Sequence, residues 1–140
     1  MFLLQPTLQS VNLSYMNQSN IHPKIRLFGI PNCDSVKKAR LWLDAKGITY
    51  AFQDFKKTPL TSAQLNGWCK HAAWETLLNK KSTTWRALPS QVQAGVQDQP
   101  SACALMLEYP SLVKRPVMWS EQSSLVIIGV QPTLWEQALG

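Results

Sequence analysis

Apolar residues recur along this chain with two different periods, and the order of the periods lays out its elements. Ile25-Arg26-Leu27-Phe28 is a short apolar run closed by Gly29, which predicts a strand, and Pro31 and Asn32 behind it supply a turn and a helix cap. From about Cys33 to Lys46 the spacing becomes helical, with Val36, Ala39, Trp42 and Leu43 on one side and Gly47 as the stop. Ile48, Tyr50 and Phe52 then alternate with Thr49, Ala51 and Gln53, the period of a second strand. Strand, helix and strand within about 30 residues make a βαβ unit, so the two strands are expected to be parallel with a right-handed crossover.

The middle of the chain is helical. Thr61 or Ser62 can cap a helix whose stripe is Leu65, Trp68, Cys69 and Ala72. Trp74 to Leu78, Thr83 to Leu88 and Pro89 to Val96 follow as short helices, and Pro100-Ser101 opens another bearing Ala102, Leu105, Met106 and Tyr109. Pattern then returns to sheet: Pro116 to Trp119 and Leu125 to Ile128 are apolar and flank polar residues 120–124, which predicts an antiparallel hairpin. Gly129 ends it, and Pro132 starts a closing helix with Leu134, Trp135 and Ala138. The expected class is α/β, in the order βαβ, helices, ββα.

Residues 1–22 carry no Asp, Glu, Lys or Arg and no periodicity, and are read as a mobile tail; Met16 within it is an alternative start to Met1, and His22 has no assigned role. Residues 23–140 are read as one domain, with enough chain for a core of its own. Three cysteines, at 33, 69 and 103, fit neither a disulfide framework nor a zinc site, and a reducing, cytoplasmic setting is the simplest inference. No stretch approaches the length of a membrane span. The net charge is +6 and there are six tryptophans, yet the basic residues form scattered pairs such as Lys37-Lys38 and Lys80-Lys81, so no nucleic-acid partner is expected.

The candidate chemistry lies at Cys33. A cysteine at a helix start meets unpaired N–H groups and the positive end of the dipole, and Lys37 one turn on adds a positive charge, all favouring a thiolate. Asp34 opposes this in part, and Arg40, two turns on, is expected to be solvated. Cys69 and Cys103 fall among apolar neighbours and are expected in the core. His71 is expected at or near the surface, without a general-base role. No phosphate loop of the Cys-x5-Arg kind follows Cys33, where Ala39 stands.

Gly29-Ile30-Pro31-Asn32-Cys33, Lys37-Lys38-Ala39-Arg40-Leu41-Trp42-Leu43, Trp74-Glu75-Thr76-Leu77-Leu78-Asn79, Thr84-Trp85-Arg86 and Lys114-Arg115-Pro116-Val117 together resemble the arsenate reductase (ArsC)/Spx family, nearest its YffB-like branch. The resemblance implies a thioredoxin-like fold with an inserted helical subdomain, and a cis peptide before Pro116 that brings Arg115 close to Cys33. It implies Cys33 as the single catalytic cysteine of a glutathione-dependent thiol reductase, with no bound cofactor and glutathione as co-substrate. Asn32, Lys37, Arg86, Arg115 and Pro116 would then bind glutathione or a thiol or disulfide substrate. Arsenate-reducing members carry an arginine where Asn79 stands and another in the last hairpin region, which this chain lacks. Arsenate reduction is the alternative to thiol reduction, followed by a non-catalytic, Spx-like adaptor contacting RNA polymerase. Val36 in place of a second cysteine excludes a dithiol cycle between positions 33 and 36.

Overall fold

The computed structural model describes residues 24–120 and 122–140; the expectations placed on residues 1–22, Met16 and His22 among them, lie outside the described residues. Four strands form one sheet in the order β2-β1-β3-β4: β1 Ile25–Gly29, β2 Tyr50–Asp54, β3 Val117–Ser120 and β4 Leu125–Ile128. β1 and β2 are parallel, with Ile25 opposite Tyr50 and Gly29 opposite Asp54, as the βαβ reading requires. β3 runs antiparallel to β1, pairing Val117 with Phe28, and antiparallel to β4 in the expected hairpin.

The two faces of the sheet are covered differently because β1 alternates. Ile25 and Leu27 face helices α1 (Asp34–Ala45) and α7 (Pro132–Leu139), sharing a core with Val36, Ala39, Leu43, Met118, Ile127 and Trp135. Gly47, at a φ of +68°, follows α1 in the left-handed region, where glycine carries no Cβ penalty. Lys46, the C-cap of α1, and Glu136 of α7 form a 2.7 Å ion pair across the outside of this layer. Arg40 departs from the expectation of a solvated side chain. Its guanidinium lies 4.4 Å from the Phe52 ring centre and its Nε donates to the Tyr50 hydroxyl at 3.1 Å. β2 is an edge strand whose aromatic rings are only partly covered by α1, and a planar guanidinium on a long stem covers the remainder.

Phe28 points to the other face, into a second core formed with the inserted helices. These are α2 (Ser62–Cys69), α3 (Trp74–Leu77), α4 (Thr83–Ala87), α5 (Ser90–Ala94) and α6 (Gln99–Glu108), followed by a 3-10 turn at Pro110–Leu112. Thr61 caps α2 reciprocally with Gln64, as anticipated. The cap of α6 is Asp98, which the sequence reading missed. Its carboxylate accepts from the Ser101 N–H, the Ser101 side chain answers at the Asp98 backbone, and Pro100 falls in the first turn, where its missing N–H costs nothing. Trp68 of α2 sets its ring edge-on to Phe28 with centres 4.8 Å apart, joining insert to sheet. The chain leaves the insert along a second seam, where the Asn79 N–H donates to the Leu112 carbonyl and the Lys114 N–H to that of Leu77. No helix among the described residues is long and apolar enough to cross a membrane.

Gly29 is required at the end of β1 by close approach, not by its dihedral angles. A Cβ there would lie 2.6 Å from Cγ2 of Val36, a fully buried residue of α1 whose χ1 is stiff. Gly29→Ala is therefore expected to cost about 1–3 kcal/mol in urea unfolding, because α1 must back away from the sheet. Stability equal to that of the parent protein would show that Val36 yields freely.

Candidate active site

β1 ends at Gly29, and Ile30, Pro31 and Asn32 carry the chain over the end of the sheet to α1. The residue expected to cap this helix was Asn32; the N-cap is instead Cys33, at φ −140° and ψ 123°, with α1 starting at Asp34. Cys33 is the last extended residue and its carbonyl already accepts from the Lys37 N–H at 2.9 Å, so Asn32 lies one position too early and is exposed. No side chain caps the helix, so no side-chain acceptor occupies the first-turn N–H groups of α1. The Cys33 side chain is half-buried, packed on one side against the core beneath α1. Lys37 is exposed one turn along the same helix, and Asp34 is exposed in its first turn.

The antiparallel register of β3 brings a second segment to the same end of the sheet. Since Val117 stands opposite Phe28, Pro116 falls level with Gly29, the last residue of β1, and Arg115 with Ile30 just beyond it. The Arg115-Pro116 peptide is cis, in agreement with the expectation. Pro116 is buried and its carbonyl accepts from the Gly129 N–H at 2.8 Å, which anchors the segment to the end of β4. That anchor was not anticipated, and its only sequence signal is a glycine at a strand end. Arg115 is half-buried, and its guanidinium has no hydrogen bond or ion pair among the described residues. Beside this end of the sheet, the Phe55 N–H donates to the Gly29 carbonyl at 3.0 Å, and Phe55, Lys56, Pro59, Tyr109 and Ser111 line a cleft of about 560 Å³.

A strand-cysteine-helix unit with a cis-proline strand entry at the same end of the sheet is a specific arrangement, and comparison with known proteins agrees with it. Residues 28–137 match the model of the ArsC family, a stretch that contains Cys33, the whole insert and the cis-proline. This chain belongs to the ArsC family. Its fold is thioredoxin-like, and it is similar to the solved YFFB (PA3664) protein at 38% identity and a TM-score of 0.77, covering 83% of this chain and 99% of that one. An arsenate reductase (ArsC) related protein from Brucella melitensis is 44% identical with a TM-score of 0.62, covering 81% and 92% respectively. Global transcriptional regulator Spx 1 of Bacillus cereus is more distant, 24% identical over 101 residues, 70% of this chain and 75% of its own.

Two further positions singled out from the sequence lie in the insert of this ArsC-family domain. Arg86 is exposed in the last turn of α4, a helix fixed to the 3-10 turn by a 2.7 Å hydrogen bond between the Thr84 and Ser111 hydroxyls. No hydrogen bond or ion pair joins Arg86 to Cys33 or Arg115 among the described residues. Asn79 uses its side-chain oxygen within a turn, accepting from the Lys81 N–H at 3.1 Å. His71 is exposed and stacks near Trp119, which pairs with Arg26 at the opposite end of the sheet from Cys33.

The other two cysteines of the ArsC-family domain are in the second core, as expected: Cys103 is buried and Cys69 half-buried. Burial, and then the neighbouring Cys103, push the Cys69 thiol up to about 12; burial also raises that of Cys103. Both thiols bind their protons more tightly when folded than in the denatured chain, where a cysteine titrates near about 8.5. Their contribution is therefore complete below about pH 8.5 and is lost as the pH rises towards 12. Unfolding free energy measured in urea is expected to fall from about pH 8 to about pH 10, with a shallower fall in Cys69→Ala. An equal slope in the two proteins would contradict this account.

Proposed function

We propose that this protein is a thiol reductase in which Cys33 is the single nucleophile and glutathione the reductant. The observation that carries the proposal is the place of Cys33: a half-exposed thiol at the N-cap of α1, its first-turn N–H groups free of any side-chain cap, at the end of the sheet where Arg115 and Pro116 lead into β3. The Cys33 thiolate attacks one sulfur of a substrate disulfide, the S–S bond breaks, and the departing sulfur takes a proton. Where the substrate is a mixed disulfide with glutathione, Cys33 retains the glutathionyl group. A second glutathione thiolate then attacks that glutathionyl sulfur, releasing glutathione disulfide and returning Cys33 to the thiolate. The external thiol is needed because position 36 is a buried valine. Arg115 and Lys37 supply positive charge for a glutathione carboxylate, with Asn32 as a hydrogen-bonding group at the turn and Arg86 as a more distant cation.

The decisive experiment mixes reduced protein with a glutathionylated peptide and maps the products by mass spectrometry. A glutathione adduct on Cys33 that disappears on adding free glutathione is expected. An adduct confined to Cys69 or Cys103, or none at all, would overturn the proposal. Arg115→Gln is expected to raise KM for the glutathionylated peptide about tenfold with little change in kcat, the size of one charge-assisted hydrogen bond at a partly exposed site. A drop in kcat alone would assign Arg115 elsewhere.

Arsenate reduction is the second reading, favoured by the Arg115 guanidinium, which has no partner among the described residues, and by similarity to the Brucella protein. Against it, Asn79 is committed to a turn and offers no guanidinium. Arsenate-dependent oxidation of glutathione that needs Cys33 would favour it. A non-catalytic role like that of a transcriptional regulator, with RNA polymerase as partner, rests on the Spx similarity and predicts partner binding that survives loss of Cys33.

A further inference from the structure

The mechanism above leaves Cys69 and Cys103 unused, and the packing of the insert brings them to the same place. Gln99 of α6 donates from its side-chain nitrogen to the side-chain oxygen of Asn66 of α2 at 3.2 Å. Cys69 lies three residues beyond Asn66 and Cys103 four residues beyond Gln99, each therefore one turn along the same face of its own helix. The two side chains meet across the α2–α6 seam, within hydrogen-bonding reach of each other and inside one apolar core. Cys69 ends α2 and is partly open to solvent, while Cys103 lies behind it, 5% exposed.

We propose that Cys69 and Cys103 are a redox-active pair that closes into an intramolecular disulfide, cross-linking α2 to α6, when a low-molecular-weight disulfide such as glutathione disulfide accumulates. The Cys69 thiolate attacks one glutathione sulfur, forming a mixed disulfide and expelling one glutathione. The Cys103 thiolate then attacks the Cys69 sulfur and expels the second. Two cysteine thiols lose two electrons and two protons, and one glutathione disulfide becomes two glutathione molecules. The pair is sluggish, because burial keeps both thiols protonated and thiolate is the attacking species. Slow entry separates it from Cys33: a brief exposure to oxidant engages Cys33 alone, while sustained oxidation reaches the seam. This inference does not depend on the reaction assigned to Cys33.

The test uses full-length Cys33→Ser protein, so that only the pair remains. It is incubated with excess glutathione disulfide over a series from about pH 7.5 to about pH 9.5, with folding followed by circular dichroism. The expected product has lost two hydrogens, gives a Cys69–Cys103 cross-linked peptide on non-reducing digestion, and forms faster at higher pH. Closing a loop of this length is expected to raise Tm by about 10 °C, reversibly with dithiothreitol. Cys33→Ser/Cys103→Ala should stop at a glutathione adduct on Cys69. The proposal is overturned by a stable adduct on Cys69 with Cys103 present, by disulfide-linked dimers, or by unmodified thiols in protein still folded at the highest pH.

Discussion

Cys33→Ser is expected to lower glutathione-coupled turnover by a thousandfold or more, to the rate of the buffer, while leaving the protein as stable as before or slightly more so. A serine hydroxyl is not ionised near neutral pH and cannot form the mixed disulfide on which the cycle depends, so little activity should survive. The structural cost is small because the Cys33 side chain caps nothing. Serine is among the better N-cap residues, and at this position its oxygen can accept from the first-turn N–H groups of α1, a gain of about 0.5–1 kcal/mol. Opposite movements of activity and stability separate loss of the nucleophile from unfolding. Turnover in the serine variant would remove the thiol mechanism, and retained binding of a protein partner without turnover in either form would favour the adaptor reading.

Trp68→Ala is expected to be the most damaging single change in the fold, costing about 3–5 kcal/mol. Trp68 is 3% exposed and holds the face of the sheet to the insert through its edge contact with Phe28. Truncation leaves a cavity walled by Phe28, Leu65 and their neighbours, at a joint where neither layer can move inward without breaking its own hydrogen bonds. Against the usual 5–15 kcal/mol of a domain, a loss of this size would leave a sizeable unfolded fraction at moderate temperature. Urea titration followed by far-ultraviolet circular dichroism measures it without relying on the tryptophan removed. A loss below about 1 kcal/mol would show that the insert is held to the sheet by other contacts, such as the Leu77–Lys114 seam.

The parts of this fold visible in the sequence are those set by local periodicity. The stripe of Val36, Ala39 and Leu43 and the alternation of Tyr50 and Phe52 depend on neighbours within a few turns, and the structure repeats them. Boundaries were less legible. The start of α1 shifted by one residue because asparagine is the stronger capping type, yet the chain's turn over the sheet end left Cys33 in the capping position. Pro100-Ser101 mark the first turn of α6, but its cap is Asp98, two residues before the proline. Arg40 was misplaced because its position depends on an edge strand that a helical wheel does not show. The meeting of Arg115 with the Cys33 end of the sheet is a matter of register between distant strands, invisible to periodicity and reached only through resemblance. The facing of Cys69 and Cys103 is of the same kind, since nothing in either helix reports how the two are aligned.

The position of β1 between β2 and β3 has a consequence for biosynthesis. β2 is available soon after β1 leaves the ribosome, but β3 begins at Val117, close to the end of the matched family domain. During translation, the α1 face of β1–β2 has neither Met118 nor Trp135 to complete its core, and the other face waits for Val117. The nascent βαβ unit therefore carries half-covered apolar surface until the insert and β3 have been made, the situation in which non-local pairing delays folding and favours chaperone contact. Arg115 and Pro116 arrive just ahead of β3. Cys33 thus acquires this segment only after the whole insert has been made, and a truncated product ending before Pro116 would expose the thiol without the rest of its site.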